Sequence, residues 1–198
     1  MAGHRSSGDR AVSDAQRRFV SRAGHKLAAA LDAFDIDPCG KVCIDFGSHT
    51  GGFVDCLLQR GAARVYAVDP GYGILDSTLR DEKRVVVCER TNALDFDPPE
   101  PAELLTCDVG WTPLRVILPA VRRCLATDGL AIVLVKPQYE APKRLLKRGV
   151  LPTEQLSEVL AMCREDVRDL GWRVAGEIES PILGRGGNRE LLWLLTDA

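Results

Sequence analysis

Asp45, Asp69, Asp108 and Lys136 each follow directly on a short apolar run, at residues 42–44, 64–68, 104–107 and 129–135. If those runs are strands of one parallel sheet, their C-terminal ends share one edge, where ligands of such sheets bind. Three carboxylates and an amine at that edge could bind a cation, accept hydrogen bonds from hydroxyls and orient a reacting oxygen. The first strand passes into a helix through Asp45-Phe46-Gly47-Ser48-His49-Thr50-Gly51-Gly52-Phe53. Glycines in such a link let a ligand approach the backbone and permit positive φ. Asp69 stands 24 positions after Asp45, and a carboxylate at the end of a second strand can accept from both hydroxyls of a ribose.

Two cofactors fit this arrangement. A dinucleotide requires G-x-G-x-x-G, with its pyrophosphate on the helix N-terminus. Here the pattern is Asp45-x-Gly47-x-x-x-Gly51-Gly52, without the second glycine. S-adenosylmethionine has no phosphate, is cationic at sulfur and carries a ribose, so the two acidic residues suit it. Beyond the last of these runs, KPQYEAPKRLLKR (136–148) holds five basic residues and one acid, and Arg185 and Arg189 flank Gly186-Gly187-Asn188. Loops of this kind could hold RNA phosphates through Lys143, Arg144, Arg185 and Arg189, with Tyr139 stacking on a base.

The elements that must position these groups alternate in type. Leu27, Ala30, Leu31 and Phe34 form an apolar stripe at helical spacing, with Ser21 as the expected N-cap and an end before Pro38. Further helices are expected over 53–58, over 74–80, from Pro113 to about Ala126 and, capped by Thr153, to Leu170. Strands are expected at the four runs above, at 85–88, at 172–178 and at 191–196. Alternating strands and helices imply βαβ units, and near-continuous apolar strands imply a sheet covered on both faces. The last two strands are joined without a helix, which fits an antiparallel pair.

The 198 residues are 45% hydrophobic and 27% charged, with a net charge of -2, the profile of one globular domain rather than a disordered or collagenous chain. Residues 1–12 read as a flexible tail and 13–198 as the domain. The polar N-terminus is not a secretory signal and no run of apolar residues reaches membrane-spanning length, so a cytoplasmic protein without a membrane partner is expected. The seven cysteines include no C-x-x-C pair and read as small buried hydrophobes, with no metal site.

Six stretches together resemble a known family. Ser21-Arg22-Ala23-Gly24-His25-Lys26-Leu27, the loop 45–53, Tyr66-Ala67-Val68-Asp69, Glu89-Arg90-Thr91-Asn92, Val135-Lys136-Pro137-Gln138-Tyr139-Glu140 and Gly187-Asn188-Arg189-Glu190 look like the FtsJ-type methyltransferase domain of the TlyA (hemolysin A-like) proteins. The similarity runs from about Phe19 to the C-terminus. It implies an α/β, Rossmann-like S-adenosylmethionine-dependent methyltransferase fold, a mostly parallel seven-stranded sheet with an antiparallel last strand. It also implies transfer to a ribose 2′-oxygen of RNA, chiefly ribosomal RNA, with ribosomal subunits as partners. By motif it puts a Lys-Asp-Lys-Glu tetrad at Lys26, Asp108, Lys136 and Glu190. Asp108 and Lys136 also stand out as strand ends; Lys26 and Glu190 come from the resemblance alone. The cofactor set becomes Asp45, Gly47, Ser48, Gly51, Gly52, Phe53, Asp69, Asn92 and Asp108. Three departures are visible. Gly110-Trp111 replace the family's frequent Ser-Phe. His49 stands where a small residue is expected. The residues ahead of the first motif are too few for the family's N-terminal RNA-binding module. The alternatives are a non-catalytic RNA- or ribosome-binding protein on the same fold and a dinucleotide-dependent oxidoreductase.

Overall fold

The computed structural model describes residues 19–198, with the side chain of Arg185 left out; the expected tail at 1–12 lies outside the described residues. In chain order the elements are α1 (Ala23–Phe34), β1 (Val42–Phe46), α2 (Gly52–Gln59), β2 (Arg64–Asp69), α3 (Ser77–Arg80), β3 (Val85–Glu89), β4 (Ala102–Cys107), α4 (Leu114–Cys124), β5 (Leu125–Val135), α5 (Pro137–Glu140), α6 (Thr153–Asp169), β6 (Trp172–Glu179) and β7 (Leu191–Asp197). The seven strands form one sheet in the order β3-β2-β1-β4-β5-β7-β6. β1 to β5 pair in parallel, and β7 runs antiparallel to both β5 and β6.

The alternation of side chains along a strand divides the core between the two faces. On β5, Ile132 and Leu134 join Leu27 and Leu31 of α1 and Phe53 and Leu57 of α2. Ala131, Val133 and Val135 join Ile117 and Val121 of α4 and Val159 and Cys163 of α6 on the other face. Both faces are therefore dry, as the apolar runs imply, and each fully buried Leu or Ile contributes about 1.5–3 kcal/mol.

Several expected boundaries move, each for a local reason. α1 begins at Ala23 behind Arg22, with no side-chain cap; Ser21 contributes its backbone carbonyl to Gly24 N–H, and its hydroxyl lies against Gly52. The helix expected over 74–80 shrinks to one turn capped by Asp76, because the Glu89 carboxylate accepts from Gly73 and Ile74 N–H and draws that stretch into a loop. Pro113 is the cap residue of α4 rather than its first turn, and Pro119 lies inside that helix. Pro152, not Thr153, occupies the cap position of α6. β5 starts at Leu125, before the expected 129, where its register with β4 breaks between Ala102 and Leu104.

Candidate active site

Parallel register brings the strand ends together: Phe46 pairs with Val68 and Cys107, and Cys107 with Val133. β7 enters the same edge from the opposite direction, with Leu191 paired to Val135. Glu190 and Lys136 therefore flank that pair on neighbouring strands. Two ion pairs form there. Lys136 Nζ lies 2.5 Å from Asp108 Oδ1 and donates to the Val109 carbonyl at 2.9 Å. Lys26 Nζ lies 2.5 Å from Glu190 Oε2, both side chains being buried. Lys26 reaches the edge from the first turn of α1, which packs on α2; Gly52 allows that approach, since a Cβ there would meet Ser21 Oγ and Gly24 N. Gly184 likewise leaves room for the Glu190 carboxyl. The structure thus brings Lys26, Asp108, Lys136 and Glu190 to one edge as two acid–amine pairs.

Beside them lies a cavity of 240 Å³ lined by Ser21, Ala23, Asp45, Gly47, Ser48, Gly52, Phe53 and Asp108, among others. A second cavity, of 290 Å³, shares Gly47, His49 and Asp108 with the first and extends past Asp69, Asn92 and Trp111. Gly47 has φ 81°, and a Cβ on it would stand 2.6 Å from the Asp108 carbonyl oxygen, so no larger residue fits where the β1 and β4 ends converge. Gly51, at φ 101°, lines neither cavity, and the space of its missing Cβ faces Leu75 and Leu79. Asp69 accepts His49 N–H at 2.9 Å on one carboxylate oxygen and Gly71 N–H at 2.7 Å on the other. It anchors both loops and keeps further lone pairs toward the second cavity. His49, exposed and at φ 47°, spans the two cavities.

Asp45 is 1% exposed. Its Oδ1 accepts the Thr106 hydroxyl at 2.6 Å, while its Oδ2 is buried without a partner. Burial pushes its carboxyl well above the usual carboxylate range, aided by Asp108 and Asp69 and opposed by the Thr106 hydrogen bond. An orphan carboxylate oxygen with two further acids near it suits a cation such as an ammonium or sulfonium. It repels a pyrophosphate. The residues present therefore fit S-adenosylmethionine better than a dinucleotide.

At the outer end of this region Trp111 is 80% exposed, holds φ 66°, and lies 4.7 Å from Tyr139, ring centre to ring centre. The Lys136 ammonium sits 5.9 Å from the Tyr139 ring. Lys143 and Arg144 are exposed on a single helical turn. Arg189 makes a two-pronged contact with Glu179, 2.7 Å on each prong, so its guanidinium is engaged within the chain. Arg185 has its backbone in a turn, and its side chain lies outside the described part. Sequence reasoning missed two residues here, Thr106 and Glu140, and marked Trp111 only as a departure from the family pattern. Glu140 Oε1 accepts Leu114 N–H at 2.9 Å, and burial pushes its carboxyl up to about 6 against that bond. For Trp111 a signal existed, an aromatic in a Gly/Pro loop just after Asp108.

Among the described residues no helix is long and apolar enough to cross a membrane. The model of the FtsJ-like methyltransferase family matches residues 19–196. The chain is 44% identical over 192 residues to the 16S/23S rRNA (cytidine-2′-O)-methyltransferase TlyA of Mycobacterium tuberculosis, covering 93% of this chain and 71% of that one. It is 35% identical over 182 residues to the 23S rRNA (cytidine-2′-O)-methyltransferase TlyA of Campylobacter jejuni, covering 88% and 70%. A solved structure from Streptococcus thermophilus, named a hemolysin, superposes with a TM-score of 0.89 at 36% identity, over 94% of this chain and 70% of that one. With its Rossmann-like sheet, its antiparallel last strand and this match across nearly its whole length, the chain belongs to the FtsJ-like methyltransferase family, and its cofactor is S-adenosyl-L-methionine.

Proposed function

We propose that this chain methylates a ribose 2′-oxygen of ribosomal RNA, with Lys26, Asp108, Lys136 and Glu190 as its catalytic group. The observation that carries the reading is the fixed amine of Lys136. Two of its directions are taken by Asp108 and the Val109 carbonyl, and a lysine ammonium has three donors. The third is available to a ribose oxygen at the rim of the cofactor cavities. When bound, S-adenosylmethionine supplies the methyl group: its C–S bond breaks as a C–O bond forms on the ribose, leaving a thioether. Lys136 holds the attacking oxygen in line, and the second oxygen of Asp108 accepts the hydroxyl's hydrogen bond and takes its proton as the C–O bond forms. Lys26 and Glu190 brace the neighbouring strand end. Positioning of this kind supplies much of the rate for an already electrophilic methyl. The relatives whose names specify cytidine 2′-oxygens of 16S and 23S rRNA support this substrate class. So do the exposed Lys143 and Arg144 and the Trp111–Tyr139 pair, a surface for phosphates and a splayed base. Mapping 2′-O-methyl sites in ribosomal RNA from cells with and without the gene tests the reading. A position methylated only when the gene is present is expected, and identical maps would overturn it.

The proposed role of Asp45 gives a pH dependence. Its ionised form binds the cofactor's positive charge, and burial raises the proton affinity of the free protein's carboxyl. Binding the cation therefore requires the proton to leave. Affinity for S-adenosylmethionine is expected to hold above that raised pKa and to fall as pH drops through it, by up to about tenfold per pH unit. Asp45→Asn keeps an acceptor for Thr106 but loses the charge, so its affinity is expected to be lower and flat with pH. Calorimetry across a pH series checks this; a wild-type profile as flat as that of Asp45→Asn contradicts the assignment.

A further inference from the structure

We infer that Glu140 is a positioning residue for methyl transfer, tying the loop that carries Asp108 and Trp111 to the segment that carries Lys136 and Tyr139. The inference rests on the tetrad reading above. The two segments, 108–114 and 136–140, meet at three places. Lys136 Nζ grips Asp108 and the Val109 carbonyl at one end. The Trp111 and Tyr139 rings lie against each other in the middle, tilted by 32°. Glu140 Oε1 takes Leu114 N–H at the other end, across 26 positions of sequence.

The loop needs that last tie. α4 begins behind Pro113, and no side-chain cap forms there, so the orphan N–H at the helix start turns to a distant carboxylate. Trp111 holds a left-handed φ of 66°, which a bulky residue does not adopt by preference, so contacts from outside must hold the loop in shape. The other segment is stiff. α5 is a single turn closed by Tyr139 N–H to the Lys136 carbonyl at 2.8 Å and Ala141 N–H to the Pro137 carbonyl at 2.9 Å. A grip at Glu140 is thereby transmitted to the backbone of Lys136. Free the far end, and the Asp108 loop pivots about its contact with the lysine, shifting the carboxylate and the aromatic pair relative to the bound methyl group.

Three variants in the full-length chain separate this role from simple helix capping. Glu140→Ala is expected to lower kcat on ribosomal subunits by about 10- to 100-fold, the scale of a misplacement near 1 Å, with little change in KM for the subunit. Trp111 reports the loop directly, because the other two tryptophans, Trp172 and Trp193, are buried; its fluorescence anisotropy is expected to decay faster in Glu140→Ala. Glu140→Gln retains the acceptor oxygen and is expected to turn over within about threefold of wild type. Pro113→Ser added to Glu140→Ala supplies a local cap, since residue 113 already holds extended dihedrals. It should return thermal stability, and foldedness if that is lost, without returning the rate. Wild-type turnover in Glu140→Ala, or full rescue of its rate by Pro113→Ser, would overturn the proposal and leave Glu140 a cap. Lys136→Ala run in parallel tests the underlying reading: continued methyl transfer there would sink the tetrad and this inference with it, whereas an inert Lys136→Ala beside a fully active Glu140→Ala would remove only the inference.

Discussion

Lys136→Ala is expected to lose methyl transfer by at least about 10²–10³-fold, the cost of removing a preorganised donor at the reacting atom, while keeping its affinity for S-adenosylmethionine. Lys136 borders neither of the two cavities, whose walls come from the start of α1, the β1 and β2 ends, the Gly47 loop and α2, the turn at Asn92 and Ala93, the Asp108 loop and Ile117 of α4. The amine is spent instead on Asp108, the Val109 carbonyl and, in the proposed mechanism, the ribose oxygen. Lys136→Arg is not expected to rescue. A guanidinium presents a planar fork rather than a compact trivalent donor, and its extra length displaces either Asp108 or the substrate. Single-turnover transfer to ribosomal subunits, with calorimetry of the cofactor in parallel, decides the matter. Transfer near the wild-type rate takes Lys136 out of the mechanism, and a large loss of cofactor affinity makes it a structural residue.

Glu190→Ala is expected to destabilise the fold by about 3–5 kcal/mol, because it strands a buried lysine charge. For a domain of this size that corresponds to a fall in Tm of about 6–20 °C. The environment supports the upper part of the mechanism behind that figure. Lys26 and Glu190 are 7% and 4% exposed, and Gly184 leaves no slack around the Glu190 carboxyl. Replacing both partners, as Lys26→Met with Glu190→Leu, removes the stranded charge and is expected to recover most of the lost stability, since apolar replacements of buried pairs are commonly neutral or better. The double variant is nevertheless expected to remain inactive. Thermal melts and transfer assays on the three proteins separate the two contributions. An unchanged Tm for Glu190→Ala would mean that solvent reaches the pair, and an active double variant would exclude both residues from the chemistry.

Much of this architecture can be read in the sequence because the central strands, β1, β2, β4 and the end of β5, are buried on both faces and so appear as apolar runs, while β6 alternates between buried or half-buried and exposed residues. The early part of β5 escapes that reading: Thr127, Asp128 and Gly129 interrupt the apolar pattern at the place where the pairing with β4 is irregular. Helix ends fare worse, since Ser21 and Thr153 have the composition of caps while Arg22 and Pro152 hold the positions. In the site, the strand-end residues Asp45, Asp69, Asp108 and Lys136 are legible from local pattern, and Lys26 and Glu190 only from the family resemblance. Thr106 and Glu140 carry no local signal. One hides inside an apolar strand and the other in a proline-led turn, and each is defined by a partner far along the chain. The pairing of Arg189 with Glu179 is equally invisible, as neighbouring strand ends decide it.

The insertion of β7 between β5 and β6 bears on how the protein is made. Lys26 and Glu190 meet across 164 positions, and the strand that Glu190 precedes, β7, follows every other described element. A nascent polypeptide can collapse β1 to β5 with their helices while its C-terminal segment is still being synthesised or threaded out. Its Lys26 then has no counter-charge, β5 has an open edge, and β6 has no neighbour through which to join the sheet. Closure of this edge therefore waits on β7, which slots into the gap between β5 and β6. Until β7 is in place, β5 and β6 each present an unpaired strand edge, the kind of surface that drives self-association.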